Sequence, residues 1–208
     1  EMGLKALLKW VGRTAELRSG PGASALGIGY FANVIDLGNG RGLASTTDGV
    51  GTKVLIAQML DRYDTIGIDC IAMNVNDLVC VGAEPIAMLD YLAVEEPDPD
   101  RLARIAEGLR EGAEQANIEI PGGELAVLPE LIRGHPSPGG FDLCGTAVGT
   151  VALDQVIGGE DIKPGDAIVG SAPARRSASR VRRLPCSTAN GHSEITMNRK
   201  TNSAVTGP

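Results

Sequence analysis

The chain has 208 residues, 43% hydrophobic and 22% charged, with a net charge of −7, the composition of a soluble globular protein with room for one good core. No run approaches the roughly 18 apolar residues of a membrane helix, and the opening "EMGLKALLKWVGRTAELR" lacks the features of a signal peptide, so the expected location is cytoplasmic. The charge is divided: residues 171–208 carry +6 and residues 1–170 carry −13, an acidic body that speaks against general nucleic-acid binding, which only the tail could favour.

In chain order, Leu4, Leu7, Leu8, Val11 and Ala15 give a helical stripe over residues 4–18, which "SGPGASALGIG" then breaks. The "GIG" at 27–29 lacks the third glycine and the following helix of a dinucleotide fingerprint. "YFANVIDL" and "GLASTT" read as strands joined by "GNGRG", a β-hairpin. "VLIAQML" reads as a helix, and "YDTIGIDCIAMNVNDLVCVG" as a second helix, apolar nearly all round and hence expected to be buried. "PIAMLDYLAV" is a strand. "DPDRLARIAEGLREGAEQANI" is the clearest helix, with Asp98 as cap, Pro99 in the first turn and a face of Leu102, Ile105, Leu109, Ala113 and Ala116. "FDLCGTAVGTVAL" is a strand of alternating small residues, and "DIKPGDAIVG" reads as a turn and one more strand. Strands alternating with helices imply an α/β or α+β layer around one sheet. Cys70, Cys80, Cys144 and Cys186 lack metal-type pairing and read as reduced core thiols. Residues 171–208 show no sustained period, are rich in Ser and Arg, and are expected to be disordered.

Three places carry chemistry. In "TTDGVGTK", Asp48 stands where a strand should end, Gly49 and Gly51 let backbone approach a ligand, and a helix starts near Thr52 with Lys53 at its head. Phosphate suits that arrangement, with a cation such as Mg²⁺ between it and Asp48, although a capped strand-to-helix turn would leave the same pattern. In "AMNVNDLVCVGAEP", Asn74, Asn76 and Asp77 interrupt an apolar helix, where buried polar groups need partners or a metal. Glu124 in "IPGGELAVLPE" is read as a third carboxylate, following a strand and two glycines. His135 and His192 have no nameable partner and read as surface residues.

The ordered set "TTDGVGTK", "AMNVNDLVCVGAEP", "YLAV", "GGE" and "FDLCGTAVG" closely resembles the amino-terminal ATP-binding domain of the phosphoribosylformylglycinamidine cyclo-ligase family (AIR synthetase), within the PurM-like superfamily. The resemblance runs from about Gly29 to Gly170. It implies a mixed sheet covered by helices that dimerises through its sheet, and an ATP- and Mg²⁺-dependent ring closure in purine biosynthesis. The site residues it implies are Asp48, Asp77 and Glu124 as metal contacts, Lys53 and the Gly49–Gly51–Thr52 backbone at phosphate, and Asn74 and Asn76 in support of Asp77. The substrate implied is formylglycinamidine ribonucleotide; a related ATP-dependent kinase or synthetase, or a non-catalytic dimerising fragment, are the alternatives.

This chain departs from the family at Leu125, where "GGET" is expected, and after Gly170, where a Ser-Ser-Gly-x-His-Ser-Asn-Gly motif and a second domain are expected. The expected organisation is therefore a partial amino-terminal segment (1–28), the ATP-binding domain (29–165), the start of a truncated domain (166–170) and a tail foreign to the family, of frameshift type (171–208). With the second domain missing, weak or no activity is expected.

Overall fold

The computed structural model describes residues 2–170, 195–197 and 204–206. Two compact units result, Glu1–Ile162 and Lys163–Pro208. The second contains a turn, in which the Lys163 amide donates to Asp166 Oδ2 at 2.8 Å, and the antiparallel three-residue strands Ile195–Met197 and Ala204–Thr206. The strand expected within "DIKPGDAIVG" does not form: Ile168 and Val169 stay exposed and pair with no strand among the described residues. The remaining expectations for residues 171–208, including His192 and Cys186, lie outside the described residues.

The first unit begins with helix α1 (Met2–Val11) and a 3₁₀ turn at Gly12–Glu16, none of whose residues is buried. The segment is helical as expected, but Leu4, Leu7 and Val11 of its apolar stripe stay exposed. Strands β1 (Asn33–Gly38) and β2 (Arg41–Gly49) form the expected hairpin. Its turn runs through Gly38, Asn39 and Gly40, all at positive φ, which is why the sequence uses two glycines and an asparagine there. Helices α2 (Lys53–Met59) and α3 (Ile66–Cys80) follow, then β3 (Glu84–Val94), α4 (Pro99–Ala116), β4 (Glu119–Val127) and β5 (Phe141–Ala152).

The sheet order is β1-β2-β5-β3-β4. Only β3 and β4 are parallel, because α4 is the crossover that carries the chain back to the start of the sheet. Asp98 caps α4 as expected, accepting from the amides of Asp100 and Arg101 at 2.9 and 3.0 Å. Alternate β5 residues Phe141, Leu143, Ala147 and Val151 are buried, as are Met88, Leu92 and Val94 opposite them on β3. With Cys70, Ile71 and Leu78 of α3 and Ile105 of α4 they form the core. The other face of the sheet carries half-exposed Leu89 and Tyr91 in rows with Thr146 and Cys144.

Helix α3 is not buried all round. Ile66, Cys70, Ile71, Asn74 and Leu78 are buried, whereas Ala72, Asn76, Val79 and Cys80 are exposed. Cys80 is thus no core thiol, while burial pushes the Cys70 thiol up to about 12. Helices α3 and α4 meet backbone to backbone: a Cβ at Gly67 would collide with the Leu109 amide nitrogen, and one at Gly108 would lie 3.1 Å from the Gly67 amide nitrogen. Close approach outweighs the roughly 1 kcal/mol that a glycine costs in a helix. Among the described residues no helix is long and apolar enough to cross a membrane.

Candidate functional site

Strand β2 outruns its partner β1. The β1 pairing ends at Ser45, so residues 46–49 have β5 on one side and a bare edge on the other. Asn74 of α3 closes that edge. Its Oδ1 accepts from the Asp48 amide at 3.0 Å, and its Nδ2 donates to the Asp48 carbonyl at 3.2 Å and to the Cys70 carbonyl at 3.0 Å. A fully buried amide is tolerable because every polar atom is engaged. Gly145, in register with Asp48, makes room for it: a Cβ there would lie 2.9 Å from Asn74 Nδ2.

Thus Asn74 serves Asp48 and not Asp77, because the helix turns its amide toward the strand edge. Asn76 points to solvent and is not part of the arrangement. Asp77 is half-buried, and its Oδ2 lies 3.3 Å from Thr46 Oγ1. Burial pushes its carboxyl up; the Thr46 hydroxyl opposes this, and the nearby Asp48 charge adds to it. Two carboxylates therefore face one site, one from the end of β2 and one from α3. That donor set of hard oxygens is the kind Mg²⁺ takes.

Gly51, at φ +68, turns the chain from β2 into α2, and the Val50 amide donates to Leu143 O at 2.9 Å to hold the turn on the sheet. Thr52 is the residue before the helix, with no side-chain cap. Lys53 opens α2, but its Nζ lies against α3, 3.1 Å from Asp69 Oδ1 and 3.4 Å from Met73 Sδ. Asp69 is a residue that the motif reading missed. Its spacing of eight from Asp77 would have placed it two turns away on the same side of α3.

Glu124 does not join these groups. The two glycines and Glu124 lie inside edge strand β4 and do not follow a strand, because β4 runs from Glu119 to Val127 beside β3. Glu124 belongs to the row Gly49–Cys144–Tyr91–Glu124, which leaves the sheet on the opposite side from Asp48. Three strand spacings, about 14 Å, separate β2 from β4. The "GGE" glycines have a different local reason. Asp90 shares the row Asp48–Gly145–Asp90–Gly123, and its carboxyl and carbonyl occupy the space that a side chain at 123 would need. Burial pushes the Asp90 carboxyl up as well. Among the described residues no group of three or more His, Cys, Asp or Glu is arranged to hold a metal ion by itself.

A second acid is built in the opposite way. Glu95, just past β3, is buried and accepts from Ser137 Oγ, from the Gly134 amide at 2.7 Å and the Gly140 amide at 3.2 Å, and from Arg133 at 3.2 Å. The Ser137 hydroxyl, then the two amides and Arg133, hold its carboxyl down at about 2. Gln58 of α2 accepts from the His135 amide at 2.8 Å, so the loop 128–140 is fixed at two points while the His135 ring stays exposed. An open groove of about 1250 Å³ runs between α4 and β4, with Leu102, Ile105, Leu109, Ile120 and Asp90 in its lining. Arg110, Glu114, Glu119 and Glu124 also line it, and neither Asp48 nor Asp77 does.

The family described as AIR synthase related protein, N-terminal domain, matches residues 29–151. The chain is 54% identical over 168 residues to phosphoribosylformylglycinamidine cyclo-ligase of Thermococcus gammatolerans, covering 80% of this chain and 48% of that protein. It is 50% identical over 167 residues to the enzyme of the same name from Pyrococcus furiosus, with the same two coverages. The chain thus spans about half the length of these curated relatives. Among solved structures, AaThiL complexed with AMPPCP and TMP superposes with a TM-score of 0.53 at 20% identity, over 70% of this chain and 41% of that one. PurL of T. maritima complexed with ADP superposes with a TM-score of 0.51 at 18% identity, over 74% and 23%. At those identities the likeness is one of fold.

Proposed function

The chain belongs to the AIR synthase related protein family by its N-terminal domain, and we propose from this that it is the nucleotide-binding half of an ATP- and Mg²⁺-dependent cyclo-ligase. The reaction is closure of the imidazole ring of formylglycinamidine ribonucleotide to aminoimidazole ribonucleotide, in purine biosynthesis. ATP phosphorylates the formyl amide oxygen, an amidine nitrogen attacks that carbon, and phosphate leaves as the ring closes. The name carried by relatives at 50 to 54% identity supports the reaction. The neighbours of like fold bound to AMPPCP or ADP support the nucleotide.

The observation that carries the reading is the pair of carboxylates at the β2 edge. Asp48 is locked at its backbone by Asn74 with its side chain turned toward α3, and Asp77 meets it from the helix. Each would bind a magnesium ion whose remaining ligands are phosphate oxygens and water. When bound, such an ion would supply the positive charge that phosphoryl transfer needs at the phosphates. Lys53 exchanges Asp69 for phosphate at the head of α2, and Gly49, Gly51 and Thr52 offer backbone to the same anion. Glu124, on the far edge, would serve only by meeting a different part of the substrates. The half-exposed Leu89 and Tyr91 on the open sheet face support a homodimer formed through that face.

Calorimetric titration with a non-hydrolysable ATP analogue, with and without Mg²⁺, tests the reading beside Asp48→Asn. Metal-dependent binding that the substitution removes is the expected result. A folded chain that binds equally well with either residue overturns the two-carboxylate site.

A further inference from the structure

The glycine-rich segment 27–32 carries an aromatic ring that the fold holds in place from behind and leaves open in front. Ala32 is 2% exposed in the core, and the Phe31 carbonyl accepts from Thr46 Oγ1 at 3.0 Å. Tyr30, one residue earlier, is tied down by its hydroxyl, which donates to Glu160 Oε1 at 3.0 Å. The backbone at Phe31 is thereby fixed on both sides, yet its side chain is 70% exposed. An aromatic ring exposed to that degree in a chain with two Phe, three Tyr and one Trp is a poor use of apolar surface unless something covers it.

What lies beside it identifies the occupant. The Thr46 hydroxyl that holds the Phe31 carbonyl is also 3.3 Å from Asp77 Oδ2, so one proton is shared between the Phe31 backbone and the carboxylate of the candidate site. The backbone carbonyl of Phe31 thus stands one hydroxyl away from Asp77. The residue that carries this exposed ring is therefore joined to the two-carboxylate site through its backbone. Base-on-aromatic stacking is the contact that such a position offers, and it needs no hydrogen-bond partner from the protein.

We propose that Phe31 is the platform on which the nucleobase of the bound nucleotide stacks. The proposal rests on the two-carboxylate reading of Asp48 and Asp77, and it adds a residue that sets affinity for the base independently of the phosphates. The test compares two ligands in the presence of Mg²⁺: a non-hydrolysable ATP analogue, and inorganic tripolyphosphate, which has the phosphates and no base. Phe31→Ala is expected to weaken the analogue about tenfold or more and to leave tripolyphosphate unchanged. Phe31→Trp, made with Trp10→Phe, is expected to keep the analogue's affinity and to lose indole fluorescence as the base stacks.

Unchanged analogue binding in Phe31→Ala, with tripolyphosphate still bound, overturns the platform and leaves the carboxylate site standing. Equal weakening of both ligands makes Phe31 a support for Asp77 through Thr46 and overturns the platform too. A wild-type chain that binds neither ligand overturns the carboxylate site and the platform with it.

Discussion

Glu95, just past β3, and Asp77, on α3, are both carboxylates drawn partly out of water, and the fold treats them in opposite ways. Glu95 is buried and surrounded by donors, so its charge is stabilised and its carboxyl is held at about 2. Asp77 has a single hydroxyl at 3.3 Å, shared with Phe31, and faces a second acid; burial pushes it up. A saturated carboxylate fixes structure, and one short of donors beside a like charge is arranged to receive a cation. The contrast sorts the acids of this chain better than their exposure does.

The largest effect that would sharpen this contrast is expected at Asn74, the residue that aims Asp48. Asn74→Leu removes three hydrogen bonds at a fully buried position and strands the Asp48 amide and carbonyl. A loss of about 3 kcal/mol is expected from denaturant unfolding. A shift below about 1 kcal/mol would show that water replaces the clamp.

Next comes the glycine pair of β4. Gly123→Ala drives a methyl group into Asp90 and is expected to destabilise by about 2 kcal/mol, whereas Gly122→Ala meets only Leu89 Cδ2 at 3.9 Å and should cost a fraction of that. Equal effects would break the claim that Asp90, and not a ligand, requires the glycine at 123.

The Glu95 side of the comparison is tested by acid and by Glu95→Gln. A carboxyl held down in the folded state contributes stability that is fully present above its unfolded value, near 4.3, and is lost as pH falls through about 2. Between those limits the loop 128–140 should gain susceptibility to an acid-active protease before the sheet unfolds. Glu95→Gln, which turns an amide toward the donors, should expose the same loop at neutral pH while leaving nucleotide binding unchanged.

The smallest effect has the opposite sign. Asp77→Asn relieves a carboxylate that burial and Asp48 both disfavour, so the ligand-free chain should gain stability, by less than about 1 kcal/mol, as its Mg²⁺-dependent nucleotide binding falls. A destabilised Asp77→Asn would place Asp77 with Glu95 as a structural acid.

Much of the fold was legible because local rules decide it. The Gly-Asn-Gly turn set the hairpin, Asp98-Pro99 set the start of α4, and small-residue alternation set β5. The family, too, was legible, in the order and spacing of "TTDGVGTK" and "AMNVNDLVCVGAEP". The same rules misread "DIKPGDAIVG", since an apolar run becomes a strand only where a neighbour offers hydrogen bonds, and they did not foresee that Leu4, Leu7 and Val11 of α1 stay exposed.

Sequence alone determined which residues carry charge, which turns are possible and which helices have an apolar side, because those depend on neighbours in the chain. Only the tertiary structure decided that Asn74 serves Asp48, that Asp69 holds Lys53, that Asp90 claims the space at Gly123, and that Glu124 leaves the sheet on the other side. Each of these joins residues from different elements, and strand register and helix rotation, which set such meetings, are fixed by packing across the whole core.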